Sequence, residues 1–374
     1  MKIVKVNELT PIQSGMLFQY MLTNDKSSYM GTEIFELEGN IDADIFRSVL
    51  DKISDEYEVF RTNVIYDKID KPKSVVIDKR TVPFAVHKAV NDNAVKQFTD
   101  EINAEQFKKG FDIQRDSLIR LDLVVGENSS VLIFSFHHIL MDGYCAAMIA
   151  DIIMKNYGKM IGRQCDNDVE YAPFSTYQDW IVAQDMSKSC EYWKEYLKGI
   201  SSVQPLDLVQ FGSDKKKNIG HSSLTIEFTP LETQGLISIA SAGNATLNIC
   251  MQWLWGLTLC RNFSCDKAVF GTVVSYRPAE FDNAEQILGP MINTVPVVFA
   301  CNKDNPITEQ LKAFRKSFLD SMEHSWIGLG EISKTAEDCE NLIDHLFVYD
   351  NFPEMDFGLS LIHISEPTRL ALIS

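Results

Sequence analysis

Val131-Leu132-Ile133-Phe134-Ser135-Phe136-His137-His138-Ile139-Leu140-Met141-Asp142-Gly143 runs from seven residues of strand character into a short loop ending in Asp-Gly. Residues 131–137 read as a strand entered from the turn Gly126-Glu127-Asn128-Ser129-Ser130, and 144–157 carries the apolar spacing of a helix, so the segment is a strand–loop–helix corner. Successive side chains on a strand point to opposite faces, which sends one of His137 and His138 toward a cleft and the other toward a core. That geometry argues against both ligating one metal. No other His or Cys stands nearby at ligand spacing, so no metal is expected. Asp142 follows His138 by four residues and Gly143 comes next. Such a corner would expose one imidazole, fix its loop through a buried Asp, and leave a Gly backbone open to close approach by a substrate.

An imidazole with a pKa near 6.5 can take a proton or a hydrogen bond from an attacking amine at neutral pH. Aminolysis of a thioester needs little more, because the thiolate is already a good leaving group and the positioning of two reactants supplies much of the acceleration. Taken alone, the segment is equally compatible with a core His pair and an Asp that merely caps the helix beginning near Tyr144, since Asp is a favoured N-cap.

The 374 residues are 45% hydrophobic and 10% aromatic, enough for one large core or two medium ones, which excludes a disordered or fibrous chain. No apolar run reaches the roughly 18 residues of a membrane span, and the N-terminus lacks the apolar segment of a signal peptide. The net charge of −17 disfavours nucleic acid. Lys215-Lys216-Lys217, the one basic cluster, sits among Gly, Ser, Asp and Asn and reads as a solvated loop. Eight cysteines without a CxxC pair read as reduced thiols of a cytoplasmic protein.

Further strands are expected at 32–37, 118–125, 223–228, 268–274, 295–300 and 346–349, and helices at 43–57 and 246–261; the latter has Leu247, Cys250, Met251 and Leu254 at i, i+3, i+4 and i+7. This is a mixed α/β (α+β) pattern. The polar stretch 158–168 is the natural boundary between two α/β lobes, 1–168 and 169–358. The tail Leu359-Ser360-Leu361-Ile362-His363-Ile364-Ser365-Glu366-Pro367-Thr368-Arg369 resembles the translation of a transposase sequencing adapter. Residues 359–374 are therefore expected to be an adapter-derived tail, with natural sequence stopping near Gly358 and the second lobe incomplete. A chain ending there would leave sheet edge and core surface open, and poor solubility or loss of activity is expected of it.

His137-His138-Ile139-Leu140-Met141-Asp142-Gly143 resembles the HHxxxDG signature of the condensation domains of nonribosomal peptide synthetases. Other segments are similar to that family's motifs in the same order. They are Leu9-Thr10-Pro11-Ile12-Gln13-Ser14-Gly15-Met16-Leu17-Phe18, Glu58-Val59-Phe60-Arg61-Thr62-Asn63-Val64 and Tyr177-Gln178-Asp179-Trp180. Phe270-Gly271-Thr272-Val273-Val274-Ser275-Tyr276-Arg277-Pro278, Ile287-Leu288-Gly289-Pro290-Met291-Ile292-Asn293-Thr294-Val295-Pro296-Val297 and Leu346-Phe347-Val348-Tyr349-Asp350-Asn351-Phe352-Pro353 complete the series. Glu56-Tyr57 departs from the usual Arg-His, and Pro290-Met291 from the usual Leu/Phe pair.

The resemblance implies two lobes like chloramphenicol acetyltransferase, set as a V with a tunnel at their junction. It implies amide-bond formation between acyl groups carried on the phosphopantetheine arms of upstream and downstream carrier proteins, with an adenylation domain adjacent and no cofactor bound directly. His138 would meet the acceptor amine, His137 and Asp142 would support it, and Gly143 would lie beside the acyl carbonyl. Asp142 would pair with an arginine, Arg277 first and Arg61 second, and its loss would leave a buried charge costing about 3–5 kcal/mol. Asn293 and Tyr144 are candidate tunnel residues, Asn293 equally a structural hydrogen-bonder. The opening motif and His-His-Ile-Leu-Met-Asp-Gly look closer to the subclass whose donor ends in a D-configured residue. An epimerisation domain, a free-standing coenzyme A-dependent acyltransferase and a recruiting module without activity are the competing readings.

Overall fold

A computed structural model of the chain describes residues 2–38, 41–163, 171–200, 224–278, 284–302, 304–336, 339, 341–349 and 362–364. Strand β1 (Ile3–Glu8) leads into helix α1 (Pro11–Thr23), whose start is fixed by a capping box. The Thr10 hydroxyl accepts from the Gln13 N–H and the Gln13 side chain accepts from the Thr10 N–H. There follow β2 (Met30–Glu38), α2 (Ala43–Glu56), a 3-10 turn (Glu58–Arg61), β3 (Thr62–Ile65), β4 (Lys73–Ile77), β5 (Phe84–Lys88) and α3 (Asp92–Lys109). The corner itself is made by β6 (Ile119–Val125), β7 (Ser129–His137) and α4 (Gly143–Met160), after which come β8 (Ala172–Pro173) and α5 (Phe174–Val182).

The chain continues with α6 (Ser187–Tyr196), α7 (Pro230–Ala242), α8 (Leu247–Phe263), β9 (Lys267–Ser275), β10 (Ile287–Leu288) and β11 (Ile292–Ala300). Last come α9 (Ile307–Met322), α10 (Leu329–Thr335), β12 (Leu346–Phe347) and β13 (Ile362–Ile364). The chain divides into two compact units. The first is Met1–Gln184 with Arg277–Ile292 and Asn351–Ile373; the second is Asp185–Tyr276 with Asn293–Asp350 and Ser374. No helix among the described residues is long and apolar enough to cross a membrane.

The first unit is organised by a five-stranded sheet in the order β13-β2-β7-β6-β5, in which β7 is central and antiparallel to both β2 and β6. Alternation along β7 sorts its residues between two cores. Leu132, Phe134 and Phe136 join the large core with α2 and α4, while Val131 and Ile133 meet α3 through Val95 and Ile102. Burying each large apolar side chain contributes roughly 1.5–3 kcal/mol, so this sandwich of helices holds β7 rigidly in register. A separate sheet, β1-β4-β3, and the parallel pair β8-β10 complete the unit.

In the second unit β9 lies between β11 and β12. Helix α8 approaches β11 so closely that a Cβ on Gly256 would lie 2.3 Å from the Phe299 ring, which is why a glycine stands there. The strand expected at 223–228 is absent from the described residues 224–228. Leu224, Ile226 and Phe228 alternate as a strand would, but they are exposed and find no partner strand in the described structure. The lysine cluster 215–217 lies outside the described residues, as does the tail 359–374 except for β13, which pairs with β2.

Candidate active site

Strand β7 delivers the two histidines to opposite sides, and their surroundings differ accordingly. His137 is fully buried against the edges of Tyr20 and Phe111, with ring centroids 6.0 and 6.2 Å away. Its Nδ1 accepts from the Ile139 N–H at 3.0 Å, whereas Nε2 has no hydrogen-bond partner among the described residues. Burial, with a smaller push from neighbouring His138, drives its pKa down to about 3. His137 is therefore a neutral residue of the core, and its contact with the next turn of the loop is what it offers the corner.

His138 continues the face of Phe134 and Phe136, its ring set edge-on to Phe136 at 5.1 Å. Nδ1 lies 3.2 Å from the Met141 carbonyl, which can only accept, so the proton sits on Nδ1 and Nε2 carries the lone pair. Gly31 of β2, paired with Phe136, lies against this ring: a Cβ there would be 3.1 Å from Nε2. Burial lowers the His138 pKa, opposed by the Met141 hydrogen bond and by the charge of Asp142. A neutral imidazole with an unprotonated Nε2 is a proton acceptor at neutral pH.

Asp142 is the N-cap of α4. Oδ1 accepts from the Cys145 N–H at 2.9 Å, and Oδ2 accepts from the Met291 N–H at 3.2 Å. The Arg277 guanidinium stands 4.0 Å from Oδ2 and 4.7 Å above the half-buried Tyr144 ring, and it donates to the Ala284 carbonyl at 2.5 Å. Gly143 is the first residue of the helix, where a backbone N–H has no partner within the helix itself. The carboxylate thus joins a local cap to a segment from much later in the chain.

That segment, Arg277–Ile292, belongs to the same unit as the corner. Buried Cys145 binds it through both backbone groups of Gly289: Sγ accepts from the N–H at 3.3 Å and donates to the carbonyl at 3.1 Å. A Cβ on Gly289 would fall 1.9 Å from the Phe174 ring, so only glycine lets the segment lie so close to α5. Burial pushes the Cys145 thiol well above its ordinary range, and it acts as a neutral hydrogen-bonding group.

The structure brings Arg277 to Asp142 and not Arg61. Arg61 sits on the turn after α2, where its guanidinium donates to the carbonyls of Ser54 at 2.6 Å, Ile77 at 2.8 Å and Asp55 at 3.2 Å. These carbonyls, two of them in the last turn of α2, claim its hydrogens. Asn293 lies in the second unit, buried, its amide nitrogen donating to the Ser325 and Ile327 carbonyls, each at 2.6 Å. Gly31 enters the site without a sequence signal of its own, and Met291, noted only within a family motif, enters through its backbone N–H. Only Cys145 had a local hint, standing three residues after an Asp N-cap, where a capped N–H is expected.

The condensation domain family model matches residues 4–367, and the chain belongs to that family. Gramicidin S synthase 2 of Brevibacillus brevis is 31% identical over 355 residues, covering 92% of this chain and 8% of the relative. Bacitracin synthase 3 of Bacillus licheniformis is 29% identical over 360 residues, covering 95% of this chain and 6% of the relative. The chain spans less than a tenth of the length of these curated relatives. Among solved structures, the condensation domain from monacolin K polyketide synthase superposes with a TM-score of 0.79 at 15% identity, covering 98% of this chain and 86% of that one. The first condensation domain of the calcium-dependent antibiotic synthetase, in complex with a substrate analogue, gives 0.76 at 15% identity, covering 97% and 85%. The mixed α/β fold is that of solved condensation domains.

Proposed function

We propose that this chain acts in the cytoplasm as an acyltransferase that joins two carrier-bound groups through an amide bond. The amine of a downstream aminoacyl-S-carrier attacks the thioester carbonyl of an upstream acyl- or peptidyl-S-carrier. The new C–N bond forms as the C–S bond breaks, and the amine proton passes by way of His138 to the departing phosphopantetheine sulfur. The donor ends in a D-configured residue, and a neighbouring adenylation domain supplies the acceptor amino acid. The observation that carries this reading is the contact of His138 Nδ1 with the Met141 carbonyl at 3.2 Å, which favours the tautomer whose lone pair is on Nε2.

Around that atom the roles divide by geometry. His137 and Asp142 hold the loop from either side, Arg277 balances the carboxylate charge, and Gly143 presents an N–H to the oxygen that becomes negative as the amine adds. Membership of the condensation family supports the reaction class.

The test is reconstitution with two carrier proteins bearing aminoacyl-phosphopantetheine, the donor offered in D and L forms, with mass spectrometry of the carrier-bound products. Dipeptidyl product on the downstream carrier, lost in His138→Ala, is expected. Stereochemical scrambling on a single loaded carrier without bond formation would instead identify an epimerisation domain. Transfer from a soluble acyl-coenzyme A to a soluble amine, with no carrier needed, would sink the reading in favour of a free-standing acyltransferase.

A further inference from the structure

Two motifs stand outside the chemistry described so far: Leu9-Thr10-Pro11-Ile12-Gln13-Ser14-Gly15 at the start of α1, and Tyr177-Gln178-Asp179-Trp180 on α5. Each contributes one buried glutamine, Gln13 at 1% and Gln178 at 3% exposure. Nε2 of Gln13 donates to the Ile139 carbonyl at 2.8 Å, across 126 residues of sequence. Ile139 is the residue after His138, and its carbonyl lies inside the loop that runs to Asp142.

The other end of the Gln13 amide is equally committed. Its Oε1 accepts from the Thr10 N–H at 3.1 Å and from Nε2 of Gln178 at 3.1 Å. Nε2 of Gln178 also donates to the Glu8 carbonyl at 2.8 Å. Flipping the Gln13 amide would set its NH2 against two donors and its oxygen against the Ile139 carbonyl, so the network admits one orientation. Beside Leu140 lies a small cavity of about 20 Å³, lined among others by Asn7, Glu58, Ser175 and the two glutamines. The Gln13 hydrogen bond thus adds a directional hold to a loop whose Ile139, Leu140 and Met141 side chains are already packed in the core.

We propose that Gln13 is a positioning residue for His138, holding the 138–142 loop by the Ile139 carbonyl, and that Gln178 fixes the orientation of the Gln13 amide. The proposal deepens the reading of His138 as the group facing the acceptor amine and rests on it. The physical link is short. His138 is oriented by donating Nδ1–H to the Met141 carbonyl, and the place of that carbonyl follows from the peptide planes that Gln13 pins two residues earlier. A loop free to shift lets the ring exchange tautomers and swing Nε2 away from the amine.

The experiment uses the full chain labelled with 15N-histidine, His138 being assigned by the signal that His138→Gln removes. Gln13→Glu is the main variant: it keeps the size and the acceptor toward Thr10 and Gln178, and once ionised, toward pH 8, it has no donor for the Ile139 carbonyl. Gln13→Leu removes the whole network, and Gln178→Leu removes only the outer support. Between about pH 6.5 and 8, wild-type His138 is expected to show one protonated and one bare ring nitrogen. In Gln13→Glu and Gln13→Leu the two signals should converge as tautomers average, with Gln178→Leu intermediate. Should Gln13→Leu fail to fold, Gln13→Glu still decides the matter. Unchanged His138 signals in a cooperatively melting Gln13→Leu protein, or in Gln13→Glu at pH 8, overturn the proposal.

In the carrier assay the same variant should lose at least about tenfold in kcat with KM for both carriers unchanged, since misplacement of a reacting group by about 1 Å can cost a hundredfold. Full turnover by His138→Ala would discard His138 as the working group while leaving the nitrogen result standing, so the two failures are told apart.

Discussion

Replacing Gly31 with alanine is the sharpest probe of the corner, because the new Cβ meets two groups with different duties. Built on the present backbone, it would lie 2.6 Å from Cζ and 2.8 Å from Cε2 of Phe136, and 3.1 Å from Nε2 of His138. The first two contacts are steric conflicts within the core. Overpacking of this size costs about 1–3 kcal/mol, which against a typical stability of about 5–15 kcal/mol leaves most molecules folded. The third contact places a methyl against the lone pair that should receive the amine proton. Positioned general bases contribute roughly 10²–10⁴ in rate, so turnover per folded molecule should fall by at least about a hundredfold. Denaturant melts and the carrier assay separate the two effects, and a second substitution isolates them. Phe136→Leu removes Cζ and Cε2, so Gly31→Ala/Phe136→Leu should be more stable than the two single changes added together, while turnover stays low. The reasoning is refuted if Gly31→Ala turns over at the wild-type rate, or if the double variant regains rate along with stability.

Three other outcomes follow from the same geometry. His137 is held neutral with a pKa near 3 while an unfolded histidine titrates near 6.5, so below pH 6.5 the unfolded state binds more protons and the stability it contributes is lost progressively as pH falls toward 3; His137→Asn should flatten that slope in acid melts. Because burial lowers the His138 pKa, protonation should remove the working base only below pH 6.5, and an acid limb of kcat/KM above that value would count against it. Arg277→Met strips a partner from an Asp142 that is 3% exposed but keeps two backbone donors, so the cost should sit near the lower end of the 3–5 kcal/mol seen for broken buried pairs and kcat should fall; Arg61→Met should lower stability alone, and a reversed pattern of kcat effects in the two variants would disprove the assignment.

The corner was legible because its determinants are local. A period of two predicts that His137 and His138 part company, and Asp before Gly at a helix start is a capping signal whatever else the Asp does. Strand β7 begins at Ser129, two residues before its apolar run, because β2 and β6 flank it there, Glu38 opposite Ser129 and Val125 opposite Ser130. Which arginine meets Asp142 could be ranked, Arg277 before Arg61, only through the family resemblance and not from the residues around either one. Arg61 and Arg277 both stand in family motifs, and nothing near either one states whether α2 carbonyls or a distant carboxylate will take its hydrogens. The segment 224–228 failed for a related reason. Alternation of Leu224, Ile226 and Phe228 describes two faces, but a strand also needs a neighbour, which a sequence pattern does not supply.

The supports of the corner come from far along the chain, and this has an energetic consequence. The Cys145 N–H lies 3 residues from Asp142, whereas the Met291 N–H lies 149 away. Loop closure grows by about 0.6 kcal/mol per doubling, so the distant contact costs about 3 kcal/mol more to form than the near one. A net gain of about 1 kcal/mol per hydrogen bond does not offset that. The 284–292 segment must therefore be brought home by a set of contacts acting together: the β8–β10 pairing, the fit of Gly289 under Phe174, the double hydrogen bond of Cys145 and the reach of Arg277. The Gly289 and Met291 amides, bound to Cys145 and Asp142, should accordingly exchange with solvent through one shared opening, and Cys145→Ala should weaken protection at both. Independent opening of the two amides would mean that the segment docks piecemeal and that Asp142 can be oriented without it.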